Sequence, residues 1–553
     1  MEKRRKTMKT TRKVVALMLV CVMFVTLAAC GQSSSGGNNA GGNTTGGTTA
    51  GGNTAGENSS GAANASGRDS LSIAVTLDRG TLDPRNMQGS DMNYATPMLY
   101  ETLWDWKPNG DPVWKLATGV DFVEPTRWIV HVREGVTFAN GSALTASDII
   151  WSIEQWNHRT GETPLMSLFD YENSRVIDDY TAELIFTEAN AVYKYTLSTI
   201  YIFDQDTFDP DTISQETNGT GPYEITEYVV NSHMFLSLRD GYWGETPAIK
   251  NLEFRVLAES TQRVNALQVG SVDISAIQPQ DVEFVRSFPD YNIAPRTSQS
   301  VRSLFFNIVE GTLFHDNTDA RIAMSYAIDR EGIIQIAYNG LAELARMPGA
   351  TINTDVEQRY LDYGIYGLGQ GSYNPELARE YAEKAGLIGK EIRLITNPSA
   401  DCVVIAEIVQ QNMRDIGVDL SIRQIDQAAW VQAFFDPYTA DWDVGVDFCG
   451  TPNLLIARAY EDTLNRWLGG AYATEPWPGR DRAMELKSGI MALTEAEDRT
   501  DRVYELNQII TDACLWFGIC EQQTFIAYNA GLPDIEIARN RWGSIIYSDL
   551  YWK

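Results

Sequence analysis

The chain is poor in residues that carry chemistry. Its 553 residues include only four histidines, His131, His158, His233 and His315, all far apart in sequence. No H-E-x-x-H, G-x-S-x-G or G-x-x-x-x-G-K motif occurs, and no G-x-G-x-x-G opens a helix; Gly367-Leu368-Gly369-Gln370-Gly371 reads only as a flexible glycine loop. These absences argue against zinc hydrolysis, a serine nucleophile elbow and phosphate-loop chemistry, so no enzyme is expected. Carboxylate pairs carry no weight, because 73 acidic residues supply them everywhere. His131 and His233 fall in strand-like segments, where an ordinary hydrogen-bonded side chain is the expectation. Neither a metal site nor a cofactor is therefore expected.

Basic residues are also scarce, 44 against 73 acidic, giving a formal charge of −29. Such a surface repels nucleic acid and anionic lipid and favours solubility. Apolar runs long enough to span a membrane are missing too. The one candidate, Val14 to Ala29, is short and follows the basic stretch Lys3, Arg4, Arg5, Lys6, Lys9, Arg12 and Lys13, which is the pattern of a cleaved export signal over residues 1–29. Its end, Leu27-Ala28-Ala29-Cys30-Gly31, resembles the lipobox of bacterial lipoproteins, which implies acylation of Cys30 after cleavage and a lipid anchor in the outer face of the cytoplasmic membrane. Loss of the signal, with seven basic residues and one acidic, leaves the exported chain more negative by about six charges.

Cysteine is the remaining scarcity. Beyond Cys30 only Cys402, Cys449, Cys514 and Cys520 occur, none in a C-x-x-C pair. An oxidising compartment leaves open one or two disulfides, Cys514 with Cys520 among them, or buried free thiols.

What is present is ordered along the chain. Residues 30–68 carry the predicted lipid-bearing cysteine and then almost nothing but Gly, Asn, Ser, Thr and Ala, a composition that cannot offset ordering entropy. As a random coil this tether spans roughly 35 Å. The body starts near Asp69 with the strand-like Leu71 to Val75, after which strands and helices alternate. Asn374-Pro375 predicts a helix start, with Leu377, Tyr381, Ala382 and Ala385 on one face and Gly386 as its stop. Ser260 is expected to cap a helix ending at Gly270, and Thr145 with Asp148 to open another. Tyr223 to Val230 and His233 to Leu238 predict a hairpin around Asn231-Ser232, closed by Asp240-Gly241. The mixture indicates an α/β body without internal repeats.

Several motifs then occur in a shared order: Leu82-Asp83-Pro84; Tyr100-Glu101-Thr102-Leu103; Val132 to Phe138 with Gly141 and Leu144-Thr145-Ala146; Gly219-Thr220-Gly221-Pro222-Tyr223; Gly241-Tyr242-Trp243-Gly244; Ala266 to Ile274; Phe306-Asn307; Ala320-Arg321 through Arg330; and Gln410 through Val418. From about residue 70 to its end the chain resembles the large solute-binding proteins of ABC importers, the group of oligopeptide-, dipeptide- and nickel-binding proteins. The resemblance implies a two-lobed periplasmic-binding-protein-like α/β fold with an extra domain inserted in a discontinuous first lobe. Lobe I would take residues 69–100, 200–300 and 522–553, the inserted domain 101–199, and lobe II 301–521. It further implies a monomer that binds a small solute and delivers it to a permease and ATPase complex.

In peptide-binding members a second-lobe strand leads to a loop whose Asp pairs with the ligand's amine. The matching stretch here, Trp442 to Asn453, is shorter, and no Asp stands in register before Pro452. Asp447 is the candidate substitute, facing either a ligand or solvent, with Gly445, Phe448 and Asn453 around it. Across the cleft, Gln88, Gly89 and Ser90 match a segment that contacts ligand through its backbone. Trp and Tyr can stack on sugars or line a side-chain pocket, so among 14 Trp we single out Trp104, Trp106, Trp430 and Trp442 near these segments. The leading expectation is an importer receptor for peptides or a related small polar solute. The altered loop and the aromatic content suggest an oligosaccharide receptor as the alternative, with a secreted hydrolase or a non-transport sensor more distant.

Overall fold

The computed structural model describes residues 67–553 apart from 79, 87–93, 108–110, 159–165, 191–192, 346–372, 427–428, 431, 434–437, 439–440, 450–469, 492, 494–495 and 540–543; the side chains of 296–300, 448–449, 470, 491, 496–500, 503 and 507 are also outside the description. Cys30, Gln88, Gly89, Ser90 and Asn453 thus lie outside the described residues.

The body is fastened where it begins. Arg68 forms a two-pronged ion pair with Asp273, at 2.8 and 2.5 Å, and its guanidinium lies 4.1 Å from the ring centroid of Trp552. Trp552 Nε1 donates to Ser70 O, so the first strand, β1 (Ser70–Val75), is held by the last residues of the chain. β1 is buried from Leu71 to Val75, as a strand covered on both faces must be.

The chain next builds a short hairpin, β2 (Trp104–Trp106) with β3 (Pro112–Trp114). A four-stranded antiparallel sheet follows, made of β4 (Ala117–Glu124), β5 (Arg127–Val132), β6 (Arg175–Asp178) and β7 (Thr181–Ile185) in the order β4-β5-β7-β6. In β5, Trp128, Val130 and Val132 are buried while their neighbours are half-exposed, the period of two that a one-sided core requires. Helix α1 (Ala146–Asn157) starts at the capping box expected from Thr145 and Asp148.

β8 (Tyr223–Val229) and β9 (His233–Leu238) form the expected hairpin, with Asn231 in the left-handed region at φ 59°. β10 (Asn251–Val256), α2 (Ser260–Gln268) and β11 (Ile274–Ile277) complete this half. One expectation fails here: the residue capping α2 is Glu259, and the Ser260 hydroxyl donates to Asp281 instead.

The long strand β12 (Tyr291–Phe306) leads into a second group: α3 (Thr318–Ala327), α4 (Arg330–Tyr338), β13 (Ala342–Leu344), α5 (Pro375–Lys384), β14 (Glu391–Thr396), α6 (Ala400–Asp415), β15 (Asp419–Gln424) and β16 (Val444–Cys449). Asn374 caps α5 as its sequence predicts, accepting from Leu377 N. The strand β17 (Trp516–Asn529) then returns to the first group.

One sheet carries both groups, in the order β15-β14-β16-β12-β17-β11-β1-β10-β9-β8, with β13 also on β17. Beneath it lie separate hydrophobic cores. One draws on residues between Leu304 and Cys520; another combines Leu71, Phe254 and Leu550 with Trp128, Leu184 and their neighbours from the four-stranded sheet. This is a two-lobed α/β fold in which β12 and β17 are the strands common to both lobes.

Several of the ordered motifs meet in one place. Glu101, buried, accepts from Tyr242 Oη and Trp243 Nε1, both at 2.9 Å, and Arg239 donates to the carbonyls of Thr137, Phe138, Thr220 and Gly221. Gly219 and Gly221 pass directly over the backbone of Met98 to Tyr100. A Cβ on Gly221 would come within 2.5 Å of Met98 O. Gly221→Ala should therefore force a backbone shift and cost about 1–3 kcal/mol. A urea melt of the variant would show the lowered midpoint, and an unchanged midpoint would contradict this packing.

Candidate ligand-binding site

In open α/β sheets, ligands bind beyond the carboxyl ends of parallel strands, where the connections leave in opposite directions. Both lobes have such a point. In lobe I, β1 lies between β10 and β11 and is parallel to each. In lobe II, β14 lies between β15 and β16 and is parallel to each; α6 carries the chain from β14 to β15 on one side, and β16 lies on the other.

The strand register decides how these two points are related. β12 runs through lobe I as far as Thr297, which is paired with Gln523, and enters lobe II at Val301, which is paired with both Glu521 and Cys449. Between those pairs three residues of β12 stand against one of β17. Ile277, the last residue of β11, pairs with Phe525 just on the lobe I side of this slip, and Cys449, the last residue of β16, pairs with Val301 just on the lobe II side. The carboxyl ends of both strand sets therefore point at the same slip from opposite sides.

A connected polar cluster occupies the lobe II side. Asn397, following β14, donates from Nδ2 to Asp447 Oδ1 at 2.8 Å, and its own Oδ1 accepts from Ser399 N and Ser399 Oγ. Arg302 Nη1 lies 3.8 Å from Asp447 Oδ1, while Arg302 Nε donates to Asp401 Oδ2 at 2.7 Å. The same Asp401 oxygen accepts from Tyr338 Oη at 2.8 Å and from Gln522 Nε2 at 2.7 Å. Burial works against the Asp401 charge, but Arg302 and the Tyr338 hydroxyl outweigh it and hold the carboxyl below its usual range. Asp447 is 1% exposed, which excludes the solvent-facing orientation.

On the lobe I side, Asp78 lies just beyond β1. It is buried and accepts from Tyr228 Oη, Asn231 N and Gly80 N, fastening the β8–β9 tip to the carboxyl end of β1. Asp83 accepts from Arg85 and Asn86 and shapes the turn that precedes residues 87–93.

Residues 111–450 match the family model of bacterial extracellular solute-binding proteins, family 5. The chain belongs to this family. Its curated relatives include the nickel-binding periplasmic protein of Escherichia coli, 24% identical over 389 residues, which are 65% of this chain and 72% of that protein. The dipeptide-binding protein of Escherichia coli is 24% identical over 330 residues, 53% of this chain and 59% of that protein. By sequence the chain thus spans about six-tenths of the dipeptide-binding protein. A solved structure, the ABC transporter substrate-binding protein CtaP from Listeria monocytogenes, superposes with a TM-score of 0.74 at 20% identity, covering 88% of this chain and 99% of that one.

Within this family 5 fold, the residues singled out from sequence separate into two groups. Gly445, Asp447 and the backbone of Phe448 come together on β16, where Ser303 faces Asp447 and Arg302 faces Phe448. The tryptophans do not line an open surface. Trp104 is 1% exposed and packs edge-on against Trp114 in the lobe I core, and Trp106 donates from Nε1 to Ser198 Oγ. Trp430 and Trp442 are buried in the lobe II core, Trp430 edge-on to Phe305 at 6.2 Å, next to Gly445. Sequence reading missed Arg302, Asn397, Asp401, Tyr338 and Gln522. None sits in a motif that announces it; only a strand order would have brought them together.

Each histidine has a carboxylate of its own: His131 with Asp121, His158 with Glu154, His233 with Glu227 and His315 with Glu475. Among the described residues no group of three His, Cys, Asp or Glu side chains could hold a metal ion, and no helix is long and apolar enough to cross a membrane. Cys402, Cys514 and Cys520 are free buried thiols, so the Cys514–Cys520 disulfide does not form. Burial pushes the Cys402 and Cys514 thiols up to about 11 and that of Cys520 to about 12.

Asp401 gives a testable pH dependence. Its carboxyl is depressed in the folded state, so it contributes stability above its unfolded value, near 3.9, and that contribution is lost as pH falls through the folded value. Asp401→Asn leaves Arg302 with only its longer ion pair to Asp447 and should cost about 2–4 kcal/mol at neutral pH. In denaturant melts from pH 7 to pH 3, the gap between wild type and variant should shrink below about pH 4. A gap independent of pH would contradict the assignment.

Proposed function

We propose that this chain is the solute receptor of an ABC importer. It captures a peptide, or a related small polar solute, between its two lobes and presents the closed form to a permease and ATPase complex. It works as a monomer and performs no catalysis. The signal of residues 1–29 is removed, acylated Cys30 anchors the chain in the outer face of the cytoplasmic membrane, and the tether to residue 68 lets the body range above it. Residues 69–100, 200–300 and 522–553 serve as lobe I, 101–199 as the inserted domain and 301–521 as lobe II.

The observation that carries this reading is that the carboxyl ends of two parallel strand sets face one another across the slip in β12 and β17. A solute held there touches both lobes at once, and a ligand that binds the closed form better than the open one shifts the population toward it. Asp447 and Asn397 supply polar contacts from lobe II, and residues 88–90 supply backbone contacts from lobe I. Within the family, the dipeptide-binding relative supports a peptide ligand. None of the relatives named here is described as binding an oligosaccharide, so that alternative gains no support.

A thermal-shift screen of the full-length chain tests the reading, using di- to hexapeptides, oligosaccharides, and nickel with small chelators. A solute at 100 times its Kd that binds only the folded state adds about 2.7 kcal/mol, enough to raise the melting temperature measurably. Peptides should give this rise, and Asp447→Ala should abolish it. A screen in which no solute class shifts the wild type would contradict the proposal.

A further inference from the structure

The Asp401 cluster does more than line lobe II. One carboxylate oxygen, Asp401 Oδ2, collects donors from three elements: Arg302 on β12 immediately past the slip, Tyr338 at the end of α4, and Gln522 on β17. Gln522 is the residue of β17 that stands alone against the three-residue excursion of β12. It sits at the pivot, yet its side chain is committed to lobe II. Its amide also lies 3.3 Å from Tyr338 Oη, and its backbone pairs with Ala342 of β13.

We infer that Gln522 and Asp401 are positioning residues for lobe closure: they weld β17 to lobe II up to residue 522, confining the bend to the lobe I side of the slip. Asp401 lies two residues beyond Ser399, which holds Asn397, which in turn holds Asp447. The pivot and the polar wall of the cleft are thereby parts of one rigid assembly. A closing motion that bends at a fixed place brings that wall to the same position each time. If the weld is lost, the bend spreads along β17, and the lobes sample a wider range of orientations without any change to the wall itself. Tyr338 belongs wholly to lobe II, and although its hydroxyl also accepts a longer 3.3 Å bond from Gln522, its loss leaves the 2.7 Å bond from Gln522 to Asp401 in place, so the hydroxyl contributes stability more than hinge position.

This inference rests on the reading of the two halves as lobes that close, and it is independent of which solute they hold. The test is a pulsed electron–electron resonance measurement on the full-length, solute-free chain, with nitroxides at Val269→Cys in lobe I and Ile388→Cys in lobe II, both exposed positions. Gln522→Met keeps most of the volume and removes the donor. It should broaden the interlobe distance distribution relative to wild type. Tyr338→Phe should lower the melting temperature and leave the distribution unchanged. Gln522→Asn, a methylene short of reaching Asp401, should broaden it as well and serves if the methionine variant does not fold. An unchanged distribution in the Gln522 variants, or equal broadening in Tyr338→Phe, would overturn the inference. A wild-type distribution that no solute of the thermal screen shifts would instead count against lobe closure itself.

Discussion

A pair of strands cannot pass from one hydrophobic core to another as an unbroken ladder if the two cores are to move against each other. β12 and β17 meet this constraint by breaking register between Thr297 and Val301, with a smaller shift between Arg302 and Ser303 just inside lobe II. Everything placed at the cleft depends on that break. It sets the level at which β11 and β16 end, and so the level at which their carboxyl ends face each other. It also decides which side chains of β12 and β17 reach lobe II: Arg302 just past the slip and Gln522 within it.

Lobe I is built to hold its shape while this happens. The Glu101 carboxylate, with its charge opposed by burial, is retained by Tyr242 and Trp243, and Arg239 ties four carbonyls of the crossing loops. Satisfied polar networks of this kind make an interior specific and stiff. The body is closed at its entry by Arg68, Asp273 and Trp552, which hold the start of β1 in place.

The fold was largely legible in the sequence because its signals are local. The capping residues Thr145 and Asn374, the hairpin tip at Asn231 and the glycines at 219 and 221 each answer to a constraint within a few residues or to one close backbone approach. Ser260 was misread because its hydroxyl is recruited by Asp281, a partner no local pattern predicts. The candidate site was legible only at Asp447 and Gly445. The hydrogen bonds that join Asn397 to Asp447, and Asp401 to Arg302, Tyr338 and Gln522, span 50 to 121 positions. Tryptophan misled for a related reason. An indole serves equally to stack on a ligand or fill a core, and Trp104, Trp430 and Trp442 do the second.

Hydrogen exchange on the solute-free and solute-saturated chain tests the central claim most directly. Closure on a solute at the facing strand ends predicts new protection in three places: residues 78–86 beyond β1, residues 397–401 with 446–449 in lobe II, and the slip itself at 297–301 and 521–523. The four-stranded sheet at 117–185 should exchange as before. Protection confined to that sheet, or spread evenly over the body with no gain at the slip, would contradict the account.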